Sequence, residues 1–147
     1  MIFGIGIDTI EVPRIARSIA TYGDQFVKRI YCEDEIRYCA GRPHAAEHFA
    51  ARFAAKEAFA KALGTGVRRG FTWRDVCVLK EWSGRPFLEL RGEMNGRARK
   101  IIDGDFVLQL SITHTKEIAE AIVTIEMKSE HHIHPDDLRI DTMKSFC

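Results

Sequence analysis

Residues 49–66, Phe-Ala-Ala-Arg-Phe-Ala-Ala-Lys-Glu-Ala-Phe-Ala-Lys-Ala-Leu-Gly-Thr-Gly, constrain this chain more than any other stretch. They set a few charges into a helix otherwise made of Ala, Phe and Leu. A helix apolar nearly all round belongs between other elements and not on a surface. At roughly 100° per residue, Ala50, Ala54, Glu57 and Lys61 fall on one narrow stripe, Phe49, Phe53, Ala60 and Leu63 lie beside it, and Phe59, Ala55 and Ala62 take the far side. On an exposed helix an i,i+4 Glu/Lys pair is solvated and contributes about 0.3 kcal/mol. Here the neighbours of Glu57 and Lys61 are small and apolar, which weakens that ordinary reading.

The rest of the chain supplies elements to cover such a helix. Ile2–Asp8 alternates glycine with β-formers, which predicts a strand whose glycines admit another backbone or a ligand, with Asp8 at its end. Pro13 suits the first turn of a helix reaching about Tyr22, where Gly23 stops it. Short helices are expected over Asp24–Ile30 and Glu33–Cys39, then Gly41 and Pro43 interrupt, and the long helix spans about Ala45–Leu63 with Gly64 at its C-cap. Thr72–Asp75 reads as a turn, and Val76–Glu81 and Pro86–Arg91 as a hairpin around Trp82-Ser83-Gly84-Arg85. Met94–Ile102 is weakly helical because of Gly96, and Phe106–Thr113 and Ile118–Glu126 close the sheet. The pattern is that of an α+β domain, an antiparallel sheet with packed helices, over residues 1–127, followed by a polar His-containing tail over 128–147.

Composition narrows the function classes. With Lys+Arg 22 against Asp+Glu 21, the net charge of +1 argues against a nucleic-acid binder that relies on a global basic field, so an acidic partner must be met by a local patch. The longest apolar runs are strand-length, and Met1-Ile2-Phe3-Gly4 lacks the charged-apolar-small order of a signal peptide; no membrane span is expected, and the cytoplasm is the expected compartment. Cys32, Cys39, Cys77 and Cys147 show no Cys-x-x-Cys spacing, which favours reduced, structural cysteines over a disulfide or zinc framework. His131, His132 and His134 could bind a transition metal, but a disordered or neighbour-crossing tail is the simpler expectation.

Three motifs point to one chemistry. Phe53, then Lys56-Glu57-Ala58, then Lys61 form one; Ile5-Gly6-Ile7-Asp8 ends a hydrophobic strand; and Leu110-Ser111-Ile112-Thr113-His114-Thr115 precedes a final strand. In this order and spacing they resemble the 4′-phosphopantetheinyl transferases, over roughly residues 1–126. Longer single-chain relatives carry an acidic residue two positions after the Asp8 equivalent, where this chain has Ile10. The chain is therefore similar to the short, carrier-protein-synthase type, and the resemblance implies a homotrimer with active sites between subunits.

The resemblance further implies transfer of the 4′-phosphopantetheine arm of coenzyme A to a serine of apo acyl carrier protein in fatty acid biosynthesis, releasing adenosine 3′,5′-bisphosphate. Asp8 and Glu57 are the implied ligands of Mg²⁺, with Mn²⁺ as an alternative; two hard oxygen ligands with room for phosphate and water suit that ion. Lys61, one turn from Glu57, meets the pyrophosphate, and Glu57 or a metal-bound water beside it is the base. For coenzyme A the candidates are Arg42, His44 and Arg52, the last on the far flank from Glu57, together with Lys61, Gly64-Thr65-Gly66, Ser111, Thr113, His114 and Thr115. Arg14 and Arg17 on the first helix are the expected docking residues for the acidic carrier. Two alternatives stand beside this: a non-catalytic coenzyme A or nucleotide-binding module, which intact Asp8, Glu57 and Lys61 argue against, and a transferase serving polyketide or nonribosomal peptide carrier domains.

Overall fold

Gly4 and Gly6 let the first strand lie directly on the long helix. A Cβ added at either would fall on a helix carbonyl oxygen, that of Ala62 or of Ala58. The structure, a computed structural model, describes residues 1–128. The elements are β1 (Ile2–Glu11), α1 (Val12–Tyr22), α2 (Asp24–Ile30), α3 (Glu33–Ala40), α4 (Ala45–Leu63), a 3-10 turn at Trp73–Asp75, β2 (Val76–Lys80), β3 (Pro86–Leu90), α5 (Gly92–Ile102), β4 (Phe106–His114) and β5 (Ile118–Met127). β1, β5 and β4 form an antiparallel sheet in that order, and β2–β3 is a separate antiparallel hairpin. The α+β class therefore holds, with the strands divided into two sheets. The hairpin packs beside β4, where Arg85 donates a hydrogen bond to Gln109 at 2.6 Å.

α4 crosses the inner face of the three-stranded sheet, with α1, α3, α5 and β2 against its remaining sides. Ala50, Ala54, Ala55, Ala58, Phe59 and Ala60 are wholly buried, as expected of a helix apolar all round. Gly64 ends it in the left-handed conformation at φ 82, its N–H bonded to the Lys61 carbonyl. β1 differs from expectation at its end. It runs on past Asp8, because Thr9, Ile10 and Glu11 keep pairing with Glu120, Ala119 and Ile118. Asp8 thus sits within a paired strand, opposite Ala121, and is held more rigidly than a strand-end residue.

The cysteine expectation is corrected: Cys32 and Cys77 are joined in a disulfide, Cα–Cα 6.0 Å, linking the start of α3 to β2. Their 45-residue separation hid the pairing from spacing arguments. Cys39 is free and buried, as expected. Cys147 and the histidines His131, His132 and His134 lie outside the described residues.

The outer face of the three-stranded sheet is uncovered and mixed, with exposed isoleucines set among Thr9, Glu120, Thr124, Gln109 and Ser111. Alternation places Ile5 and Ile7 of β1, Ile118 and Ile122 of β5, and Val107 of β4 on it, with Ile7 61% and Ile5 59% exposed.

Candidate active site

Asp8 and Glu57 come from distant segments and meet because β1 lies on α4. Lys61 donates to the Asp8 carboxylate at 2.9 Å and to the Ile7 carbonyl at 3.0 Å, so two of its three N–H bonds are spent on β1. Glu57, one turn earlier and half-buried, holds its proton more tightly than an ordinary glutamate. Burial is the main cause and the Asp8 charge adds to it, while Lys61 and Arg14 partly offset the shift. The three residues expected to carry the chemistry are therefore brought together. Arg14, exposed on α1, lies near enough for its charge to act on Glu57.

A cation fits between these carboxylates on the chemistry of the donors. Two acidic side chains repel each other, with one ammonium nearby, and Ile10, further along β1, is buried in the core. That is a donor set for an ion taking one or two protein carboxylates and completing its shell with water and phosphate, as Mg²⁺ does.

Lys56, next to Glu57 in sequence, does something that sequence reasoning missed. It is wholly buried and gives all three N–H bonds away: to Glu35 at 2.8 Å, to the Ile30 carbonyl at 2.8 Å and to the Trp73 carbonyl at 3.0 Å. Glu35, equally buried, accepts in addition from the backbone N–H of Cys32 and of Val78. One ion pair thus ties α2, α3, the 3-10 turn and β2 to the helix that carries Glu57. The motif adjacency of Lys56 and Glu57 was the available signal, since neighbouring helix positions point roughly 100° apart.

A second cluster lies apart from the carboxylates. His48, Arg52, Lys80, Pro86, Ile112 and His114 line a cleft of about 200 Å³ between α4, the β2–β3 hairpin and β4. His114 faces Glu47 at 3.2 Å, and Glu47 also reaches His44 at 3.9 Å. Arg52 is 4% exposed; its Nη1 donates to the His48 carbonyl, and its Nε has no partner among the described residues. Arg42 stacks on Tyr38 beside the same cluster. So the structure brings Arg42, His44, Arg52 and His114 together, joined by Glu47, His48, Lys80 and Tyr38, which the sequence did not single out. The i,i+4 spacing of His48 and Arg52 on one helix was the signal for His48.

The other nucleotide candidates do not gather there. Ser111 and Thr113 alternate with His114 along β4 and sit on the outer sheet face, Ser111 opposite Ile122. Thr115 accepts from the N–H groups of Glu117 and Ile118, closing the turn into β5. Gly64, Thr65 and Gly66 follow Lys61 at the end of α4, where Thr65 donates to the Gly66 carbonyl and both glycines have positive φ. Arg17 is exposed on α1. No helix among the described residues is long and apolar enough to cross a membrane.

Residues 4–123 match the model of the 4′-phosphopantetheinyl transferase superfamily. The chain is 50% identical over 126 residues to a holo-[acyl-carrier-protein] synthase of Koribacter versatilis, covering 86% of this chain and 99% of that one. Identity to the corresponding synthase of Solibacter usitatus is 48% over the same shares. Among solved structures, a holo-(acyl-carrier-protein) synthase of Bacillus anthracis in complex with CoA (3′,5′-ADP) superposes with a TM-score of 0.72 at 36% identity, over 87% of this chain and 99% of that one. The holo-[acyl-carrier-protein] synthase of Neisseria meningitidis gives 0.77 at 30%, over 86% and 99%. With its carboxylate pair and motif lysines on that shared fold, the chain belongs to the 4′-phosphopantetheinyl transferase superfamily, among its holo-[acyl-carrier-protein] synthases.

Proposed function

We propose that this chain transfers the 4′-phosphopantetheine arm of coenzyme A to a serine of apo acyl carrier protein in the cytoplasm, as a step of fatty acid biosynthesis. The observation that carries the reading is the convergence of Asp8, Glu57 and Lys61 from β1 and α4. The serine oxygen forms a bond to the phosphorus bearing the pantetheine arm, the pyrophosphate bridge to the nucleotide breaks, and adenosine 3′,5′-bisphosphate leaves with the bonding pair. Asp8 and Glu57 are the residues that would hold Mg²⁺, or Mn²⁺ in its place. The ion supplies neutralisation of the pyrophosphate charge, which is most of what phosphoryl-type transfer requires.

The side chains divide the remaining tasks. Glu57 takes the serine proton on a carboxylate oxygen. Lys61 keeps one N–H bond for a pyrophosphate oxygen and offsets charge on the leaving phosphate. Arg14, exposed and within the electrostatic reach of Glu57, gives an acidic carrier a docking point close to the reacting groups, with Arg17 one turn further along α1. Arg52, Arg42, His44 and His114 meet the phosphate on the coenzyme's ribose. Gly64-Thr65-Gly66 and the end of β4, including Ser111, Thr113 and Thr115, complete the coenzyme's surroundings.

Assembly supports the same reading. A cleft of about 200 Å³ is smaller than the roughly 300–1,000 Å³ of ligand pockets, and none of Asp8, Glu57 or Lys61 lines it. Carboxylates and cation cleft are two half-sites on one chain, which a homotrimer joined through the uncovered sheet face would bring together across subunits. The test is intact-mass analysis of apo acyl carrier protein incubated with this chain, Mg²⁺ and coenzyme A. A gain of one phosphopantetheine is expected; an unmodified carrier with bound coenzyme A would favour the binding module instead. Modification only of polyketide or peptide-synthesis carrier domains would move the substrate.

A further inference from the structure

Three cations from three different elements converge on one aromatic ring. Arg42, in the turn after α3, lies 3.9 Å from the centroid of the Tyr38 ring, Arg52 of α4 lies 4.3 Å away and Lys80 at the end of β2 lies 5.0 Å away. Lys80 also donates a hydrogen bond to the Tyr38 hydroxyl at 2.7 Å, and the His48 ring stands edge-on to Tyr38 at 5.8 Å. Among the described residues none of the three cations is paired with a carboxylate. The nearby acids are engaged elsewhere, Glu47 with His44 and His114, and Glu35 with Lys56.

Like charges gathered this closely repel, and a buried guanidinium with an unpartnered Nε lacks part of what it lost in leaving water. The ring face returns some of that by cation–π attraction. The remainder calls for an anion with several oxygens. The positive field reaches neighbouring groups: burial disfavours ionisation of the Tyr38 phenol, yet the Lys80 hydrogen bond and the charges of Lys80, Arg42 and Arg52 bring it below its usual value. His48 is likewise harder to protonate, from burial first and then from His114, Arg52, Arg42 and Lys80.

We propose that Tyr38 is a positioning residue whose ring and hydroxyl hold Arg42, Arg52 and Lys80 as a preformed cationic wall for a phosphate monoester. Tyr38 thereby sets the enzyme's preference for coenzyme A over dephospho-coenzyme A, which lacks the ribose phosphate. This rests on coenzyme A being the co-substrate. The experiment measures kcat and KM with both coenzymes for the parent chain, Tyr38→Leu and Tyr38→Phe. The parent should prefer coenzyme A. Tyr38→Leu, which removes all three ring contacts and the hydroxyl, should raise KM for coenzyme A about tenfold while leaving kcat and the dephospho-coenzyme A KM nearly unchanged. Tyr38→Phe keeps the ring, loses the Lys80 bond, and should raise the same KM about threefold.

A folded Tyr38→Leu chain that loses activity equally with both coenzymes has lost structure alone, and the proposal is then wrong. If that variant does not fold, an unchanged coenzyme preference in Tyr38→Phe overturns the proposal equally. A parent that turns over both coenzymes alike leaves the transferase reading standing and removes the phosphate from this wall. A parent that transfers from neither overturns the transferase reading itself.

Discussion

Single residues carry two opposite kinds of proton logic. Glu57 and Asp8 matter through their charge at the reacting groups, so Asp8→Ala or Glu57→Ala should lower transfer about a thousandfold, the several kcal/mol expected from losing metal-assisted charge stabilisation. Circular dichroism should be unchanged, and near-parent turnover in either folded variant would disprove the assignment. Cys39 matters through the proton it keeps. Burial is the chief cause that pushes its thiol from 9.0 up to about 11. Above pH 9 the unfolded chain loses that proton while the folded chain retains it, so stability is full below about 9 and declines as pH rises towards 11, by about 3 kcal/mol in all. Cys39→Ala should remove the Cys39 share of the pH dependence between pH 9 and 10 in urea titrations, while Tyr31, whose buried phenol is raised, keeps contributing in the same direction and Lys56 and Tyr38, both lowered, in the opposite one. The motif residues of the carboxylate site were legible in the sequence because their spacing is distinctive. Tyr38, Glu47, His48 and Lys80 were not, since each has an ordinary surface or core role at its own position and acquires another only from residues on other elements.

Elements act here mainly through what they clamp. α4 is wedged against β1 by Gly4 and Gly6 on one side and tied by Lys56 and Glu35 on the other. Removing one member of that pair leaves a buried charge without its partner, and Lys56→Ala or Glu35→Ala should cost about 3–5 kcal/mol in urea unfolding. Loss of less than about 1 kcal/mol would mean that the cavity hydrates or relaxes around the remaining charge. Gly6→Ala should act differently, forcing β1 off the Ala58 carbonyl and shifting Asp8 relative to Glu57. The expected cost is about 1–3 kcal/mol with a larger fall in kcat than the stability loss explains. Helix boundaries were nearly all readable from Gly, Pro and periodicity, and α4 matches its expected bounds. The end of β1 was not, because no local signal at Thr9–Glu11 reveals pairing with residues more than a hundred positions away. The Cys32–Cys77 link was hidden by the same kind of distance.

At the scale of the whole molecule, the question is what covers the isoleucines. Ile5, Ile7 and Ile122 stand exposed on one face of the sheet among Thr9, Glu120, Thr124 and Ser111, and seating a copy of the chain there would take their apolar surface out of water. If the carboxylates and the cation cleft are half-sites of one shared site, as proposed above, covering the patch with copies of the chain and completing the site are one event. A heterologous contact of that sort can close as a ring, and the proposed homotrimer is such a ring. Ile7→Lys should therefore convert the preparation to single-chain mass by light scattering and abolish transfer, although Asp8, Glu57 and Lys61 are untouched. A more direct check mixes two inactive forms, Glu57→Ala and Arg42→Glu, each intact in the half-site that the other lacks. If sites are shared between neighbours, equal mixing with subunit exchange should leave about a quarter of the interfaces whole and restore transfer in that proportion. If each chain completes its own site, the mixture stays as inactive as its parts, and a fully active parent with the mass of one chain would refute the shared ring outright.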